Sequence, residues 1–157
     1  DGVVVRTDPQ ADPQSVDAQI INLDNWIQAQ AALEIKPFLC VYSATAAGLL
    51  MKAGRMPEAR ERLDAALRLT DQLEARFYDA ELLRLRAHTH DGQDRRSDLA
   101  ASYRLATQQG ATVFRLRAAI DLFELDPDTR QELLDTMALL PQDSHWPEID
   151  CARALLG

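Results

Sequence analysis

Chemistry needs converging side chains, and one stretch of this sequence offers them. In DAELLRLRAHTH, residues 79–90, Glu81, Arg84 and His88 fall three and four apart. Such spacing places them on one stripe of a helix. Arg117 and Glu124, seven apart in RLRAAIDLFEL, share a second stripe about one repeat later. If both stripes face one groove, acid, guanidinium and imidazole groups line it. Arginine grips a carboxylate through two parallel hydrogen bonds, which lysine cannot match. The chemistry implied is recognition of a peptide carboxylate or backbone, with Met51 and Lys52 as groove rim. Two other uses of the same residues stay open. Glu81 with Arg117, or Arg84 with Glu124, would serve equally as ion pairs fixing helix register, and all of them would serve as a solvated face.

A hydrolase built on Glu81, Arg84, His88 and Glu124 is the enzymatic alternative, and it predicts a deep pocket and turnover lost on His88→Ala. The sequence otherwise lacks catalytic signatures. It has no glycine-rich phosphate loop, no G-x-S-x-G and no H-E-x-x-H. His88 and His90 are two apart, about 200° around a helix, and do not share one metal while helical. His145 beside Trp146 reads as a packing or surface pair. Asp126 and Asp128 flank a proline and read as helix-start charges. No cofactor and no metal is expected.

The elements that position these groups are helices. Alanine and leucine dominate the apolar share, aromatics are 6% of residues, and no long stretch alternates with period 2. The fold class expected is all-α. A helix is expected through Ile20, Ile21, Leu23, Trp26, Ile27 and Leu33, capped by Ser15 or Asp17 and ended by Lys36-Pro37. A second runs from about Phe38 to Ala53. Pro57 opens a third at its first position, where a missing N–H is no loss. Asp91-Gly92-Gln93-Asp94 breaks the helix of residues 79–90, and Ser97 or Asp98 is placed to cap the next. Gln109-Gly110 stops that one through a left-handed glycine. A further helix begins at Asp126-Pro127, and Pro147 to Leu156 forms the last. Trp26, Phe38, Tyr42, Phe77, Tyr78, Phe114 and Phe123 have the spacing of core residues. Residues 1–15 read as a linker or arm, and 16–157 as one domain.

An internal repeat is visible. Ala59-x3-Leu63-x2-Ala66-x3-Thr70 aligns with Arg95-x3-Leu99-x2-Ser102-x3-Ala106 at an offset of 36. A period in the mid-thirties with paired helices is the pattern of tetratricopeptide repeats. The stretches EARFYDAELLRLRA, LATQQGATVFRLRAAIDL and SHWPEIDCARALLG resemble the C-terminal tetratricopeptide-like region of large bacterial ATPase regulators. In INLDNWIQAQAALEIKPFLCVYSATAAGLLMKAGRMPEARERLDAAL the same pattern continues upstream. The resemblance spans about Val16 to Gly157. It implies an α-α superhelix of about three helix pairs, with a helix leading in and a C-terminal cap. In that family the array follows a signal-transduction ATPase module, fused in turn to a nucleotide cyclase or a winged-helix DNA-binding domain. The function implied is a non-catalytic binding or sensing module. Its partner would be a protein, a peptide or the ATPase domain of its own chain. A stand-alone scaffold or chaperone-like adaptor is the alternative.

The charge of −8, from 17 basic and 25 acidic residues, argues against nucleic-acid binding by this segment. Arg55, Arg60, Arg62, Arg84 and Arg86 interleave with Glu58, Glu61, Asp64 and Glu81, the pattern of a salt-bridged solvated face. Cys40 and Cys151 are the only cysteines and read as buried apolar side chains. No apolar run has the length of a membrane span, and no export signal is present. A start at Asp1 with no export signal reads as a piece of a longer cytoplasmic protein.

Overall fold

The computed structural model describes residues 13–32, 38–141 and 143–157. Eight α-helices account for most of them: α1 Pro13–Ala32, α2 Leu39–Lys52, α3 Met56–Gln72, α4 Asp79–Ala87, α5 Gly92–Gln109, α6 Thr112–Leu125, α7 Arg130–Met137 and α8 Pro147–Leu156. Short 3-10 turns precede α4 and α7, and there is no strand among the described residues. Among the described residues no helix is long and apolar enough to cross a membrane. The expected Lys36-Pro37 stop and residues 1–12 of the expected arm lie outside the described residues. Helix α1 starts at Pro13, so Ser15 and Asp17 sit within its first turns.

Consecutive helices pack on one another, within the pairs α2–α3, α4–α5 and α6–α7 and also between them, α5 on α6 more extensively than α6 on α7. In addition α2 touches α4, α4 touches α6 and α6 touches α8, while α3, α5 and α7 make no comparable contact with one another among the described residues. The first helices of the pairs therefore form a continuous seam, and the second helices splay away from it.

The 36-residue offset reappears as burial. Ala59, Leu63, Ala66 and Thr70 are the buried residues of α3, and Leu99, Ser102 and Ala106 are buried in α5. Leu133 and Thr136 of α7 continue the set. Leu63, Leu99 and Leu133 are fully buried, one bulky side chain per pair, flanked by small residues that allow close helix approach. Where a hydroxyl occupies the small position it is satisfied. Ser102 Oγ donates to the Ala80 carbonyl at 2.6 Å, tying α5 to α4. Thr136 Oγ1 donates to Glu132 O at 2.7 Å. Ile149 and Ala152 of α8 close the far end at zero exposure, against Leu116 and Ala119 of α6 and Leu133 of α7.

Helix ends obey local chemistry. Gly110 takes φ 66°, with Ala111 N–H on Ala106 O and Gly110 N–H on Thr107 O. That pair of bonds satisfies two terminal carbonyls of α5. Gly54 ends α2 in the same way. Glu74 ends α3 with the same two bonds at φ 52°, a conformation costly for a residue with a Cβ.

Four expectations are corrected. Helix α5 begins at Gly92, five residues before Ser97, and neither Ser97 nor Asp98 caps it, because Asp98 is drawn to Arg86 instead. Pro57 follows Met56 within α3. The aromatics do not all enter the core: Trp26, Phe38 and Phe77 are about half exposed. Phe38, Phe77, Tyr78 and Phe114 instead touch edge to face in a row, with centroids 6.0, 6.1 and 5.2 Å apart. That row follows the starts of α2, α4 and α6. Cys40 is buried as expected, but Cys151 is exposed.

Candidate functional site

The seam of first helices carries the polar cluster. Helix α4 presents Glu81 and Arg84 from successive turns, with His88 just after its end, and α6 presents Arg117 and Asp121 four residues apart. Arg84 binds Glu81 with both arms, Nε to Oε2 at 2.8 Å and Nη2 to Oε1 at 2.9 Å. Its remaining arm, Nη1, reaches Asp121 Oδ2 at 2.8 Å across to α6. Arg117 returns the link, Nη1 to Glu81 Oε1 at 3.2 Å. It also extends it to α8, with Nε and Nη2 on Glu148 Oε1 at 2.9 and 2.6 Å. Three helices are joined by one ladder of alternating charge. The matching order of partners, Glu81 with Arg117 and Arg84 with Asp121, also means that α4 and α6 run in the same direction.

His88 stands just past the end of α4, its Nε2 2.8 Å from Asp121 Oδ2 and 3.3 Å from Arg84 Nη1. A carboxylate only accepts, so Nε2 carries the proton and donates to Asp121. The Arg84 approach is then a close contact, not a second hydrogen bond. The Asp121 carboxyl is buried, which works against its charge. The His88 hydrogen bond and the Arg84 charge outweigh burial and hold it below the ordinary carboxylate range. Burial likewise opposes the Arg84 charge, and Glu81 and Asp121 overcome it and hold the guanidinium above its usual value. Glu148 is held low against burial by Arg117.

The ladder grades from buried to open. Side-chain exposure is 5% at Glu81, 11% at Asp121 and 16% at Arg84, then 31% at His88, 32% at Arg117 and 27% at Glu148. The inner pairs are an interhelical clasp, and the outer edge faces solvent. The Tyr78 phenol borders the cluster: burial pushes it up, and it feels the charges of Glu81, Arg117 and Arg84. Among the described residues none of the ladder's polar side-chain atoms is buried without a partner. Among the described residues no group of three histidine, cysteine or acidic residues is placed to hold a metal ion.

Of the residues expected here, Glu81, Arg84, His88 and Arg117 are brought together. Glu124 is not. It is exposed in the last turn of α6, beyond the point where the nine-residue α4 has ended. Asp121, three residues earlier, takes its place opposite Arg84. Met51 is partly buried and packs against the core of α1, α2 and α3. Lys52 is exposed as the last residue of α2, where its charge complements the helix C-terminus. Two members were missed. Asp121 sits one turn after Arg117, a spacing that signals a shared stripe. Glu148 follows Pro147 in the first turn of α8, where an acidic residue is ordinary and no local pattern marks it.

Comparison with known proteins gives no identification: no family model matches the chain, and no significant match is found among curated proteins or solved structures.

A second polar set ties the pairs from another side. Arg86 of α4 binds Asp98 of α5 with two arms at 2.8 and 2.6 Å and Asp64 of α3 with the third at 2.9 Å. His90 lies 3.7 Å from Asp98, so the two histidines are committed to different networks. Arg84 and Arg86 are both largely covered by neighbouring helices, not on a solvated face as the charge pattern implies.

Proposed function

We propose that the chain is a tetratricopeptide-like binding or sensing module of a larger bacterial signalling regulator, controlling an attached ATPase or output domain. The supporting observation is the charged ladder in the seam of α4, α6 and α8. A ladder made of interhelical ion pairs couples helix angles to whatever engages its open edge. Arg117 and Glu148 are that edge. A partner carboxylate that takes the place of Glu148 on Arg117 loosens α8 from α6 while the buried Arg84 clasp keeps α4 on α6. Binding energy is thereby directed into a change between two arrangements of the last helices, the requirement for a ligand to bias an attached domain. The 36-residue period, and first helices that touch while second helices splay, support the superhelical reading.

The test is ATP hydrolysis by the native full chain carrying Glu148→Gln, which weakens the α6–α8 link alone. The reading predicts a changed basal rate with an unchanged far-UV circular dichroism spectrum. An unchanged rate, or a native chain with no ATPase activity, would overturn it in favour of a stand-alone scaffold.

A further inference from the structure

A second surface lies away from the seam, between α1 and α3. Ile20, Asp24 and Ile27 form a four-and-three stripe on α1, and Glu58, Arg62, Ala65 and Leu69 form a four-three-four stripe on α3. The two stripes face each other across a floor that includes Leu50 of α2, enclosing an open cavity of about 540 Å³. Two ion pairs cross between the helices. Arg55 binds Asp17, and two turns on Arg62 binds Asp24 with both arms. Their common order means that α1 and α3 run in the same direction. The walls extend about 10 Å on α1 and about 16 Å on α3 at 1.5 Å per residue, the length of two to three helical turns. Floor and lower walls are apolar and the rim is charged, the form of a groove that receives one amphipathic helix through anchors at i, i+3/i+4 and i+7.

The charge of the rim selects the occupant. The lining sets Asp24, Glu58 and Glu61 against Arg55 and Arg62, and both guanidiniums are already engaged, Arg55 with Asp17 outside the lining and with Glu58 at 2.7 and 2.5 Å, Arg62 with Asp24. Glu61 is exposed and makes no ion pair among the described residues. Residues 1–12 of this chain carry three aspartates and one arginine, and a second copy brings net charge −8. Like charge opposes both. We infer that the α1–α3 groove is a docking site for a basic amphipathic helix of a partner protein.

The probe is a fluorescein-labelled synthetic 14-residue helix with leucines at i, i+3, i+4 and i+7 and lysines on the other face, read by fluorescence anisotropy. A matched peptide carries glutamates in place of the lysines. Saturable binding of the basic peptide is expected, with the acidic one at least about tenfold weaker, a difference of about 1.4 kcal/mol. Ala65 is exposed on the groove wall, so Ala65→Trp is expected to fill the groove, leave the thermal midpoint in place and abolish saturable binding. Glu61→Lys is expected to weaken the basic peptide about threefold to fivefold, the range a partly exposed ion pair supplies. No saturable binding, equal binding of both peptides, or binding untouched by Ala65→Trp would overturn the inference. Concentration-dependent dimerisation abolished by Ala65→Trp would overturn it in favour of a second copy.

Discussion

Replacing Arg84 by methionine tests whether the ladder is a clasp or a surface ornament. The substitution keeps the length and apolar stem of the side chain and removes its three hydrogen-bonding contacts, two to Glu81 and one to Asp121. Glu81 then keeps only Arg117 at 3.2 Å, and Asp121 keeps only His88. Removing one partner of a buried ion pair costs about 3–5 kcal/mol, because the remaining charge stays desolvated. The surviving partners pull the expectation to the lower end, about 3 kcal/mol. For a chain of this size that is a fall of about 6–12 °C in thermal midpoint. Urea unfolding followed by far-UV circular dichroism measures it. A double-mutant cycle with Asp121→Asn separates the pair from the general effect: the double variant is expected to lose about 1–2 kcal/mol less than the sum of the singles. Arg55→Ala, which breaks the exposed pairs with Glu58 and Asp17, is the control and is expected to change nothing measurable. A loss below about 0.5 kcal/mol for Arg84→Met, or strict additivity in the cycle, would mean that solvent already screens the ladder, and the reasoning would fail.

Leu99→Ala removes the fully buried side chain between α4 and α5 and is expected to cost about 2–5 kcal/mol in the same urea titration. Glu74→Gly relieves a left-handed backbone at the end of α3 and is expected to raise the thermal midpoint by about 2–4 °C, for about 1 kcal/mol. Asp121 has its pKa lowered in the folded state. Its contribution is therefore complete above the unfolded value of about 3.9 and disappears as pH falls toward the lower folded value. The stability gap between the wild-type chain and Asp121→Asn is expected to narrow as pH falls below the unfolded value, and a constant gap would contradict the assigned charge state.

Much of this arrangement is legible in the sequence because it is written in short-range spacing. The Leu63 and Leu99 repeats, the left-handed Gly110 and the Pro147–Leu156 helix follow from three- and four-residue periodicity and terminal chemistry alone. The Glu81–Arg117 link is legible as one of two candidate pairs at one repeat's distance. Asp121 is not, because choosing it over Glu124 requires knowing that α4 stops at Ala87. Asp98 looks like a cap by type and position, yet a long-range arginine outcompetes the local backbone for its carboxylate. The half-exposed Phe38 and Phe77 mislead for a related reason: periodicity says which residues share a face, but not whether a neighbouring helix covers that face to its end.

The most direct test of the proposed function is the size of the native chain, read by immunoblot of cell extract with an antibody against this domain. A band of roughly 100 kDa, several domains at about 150 residues each, is the predicted result. A band near 17.6 kDa would contradict the regulator reading and leave a helical scaffold that works alone.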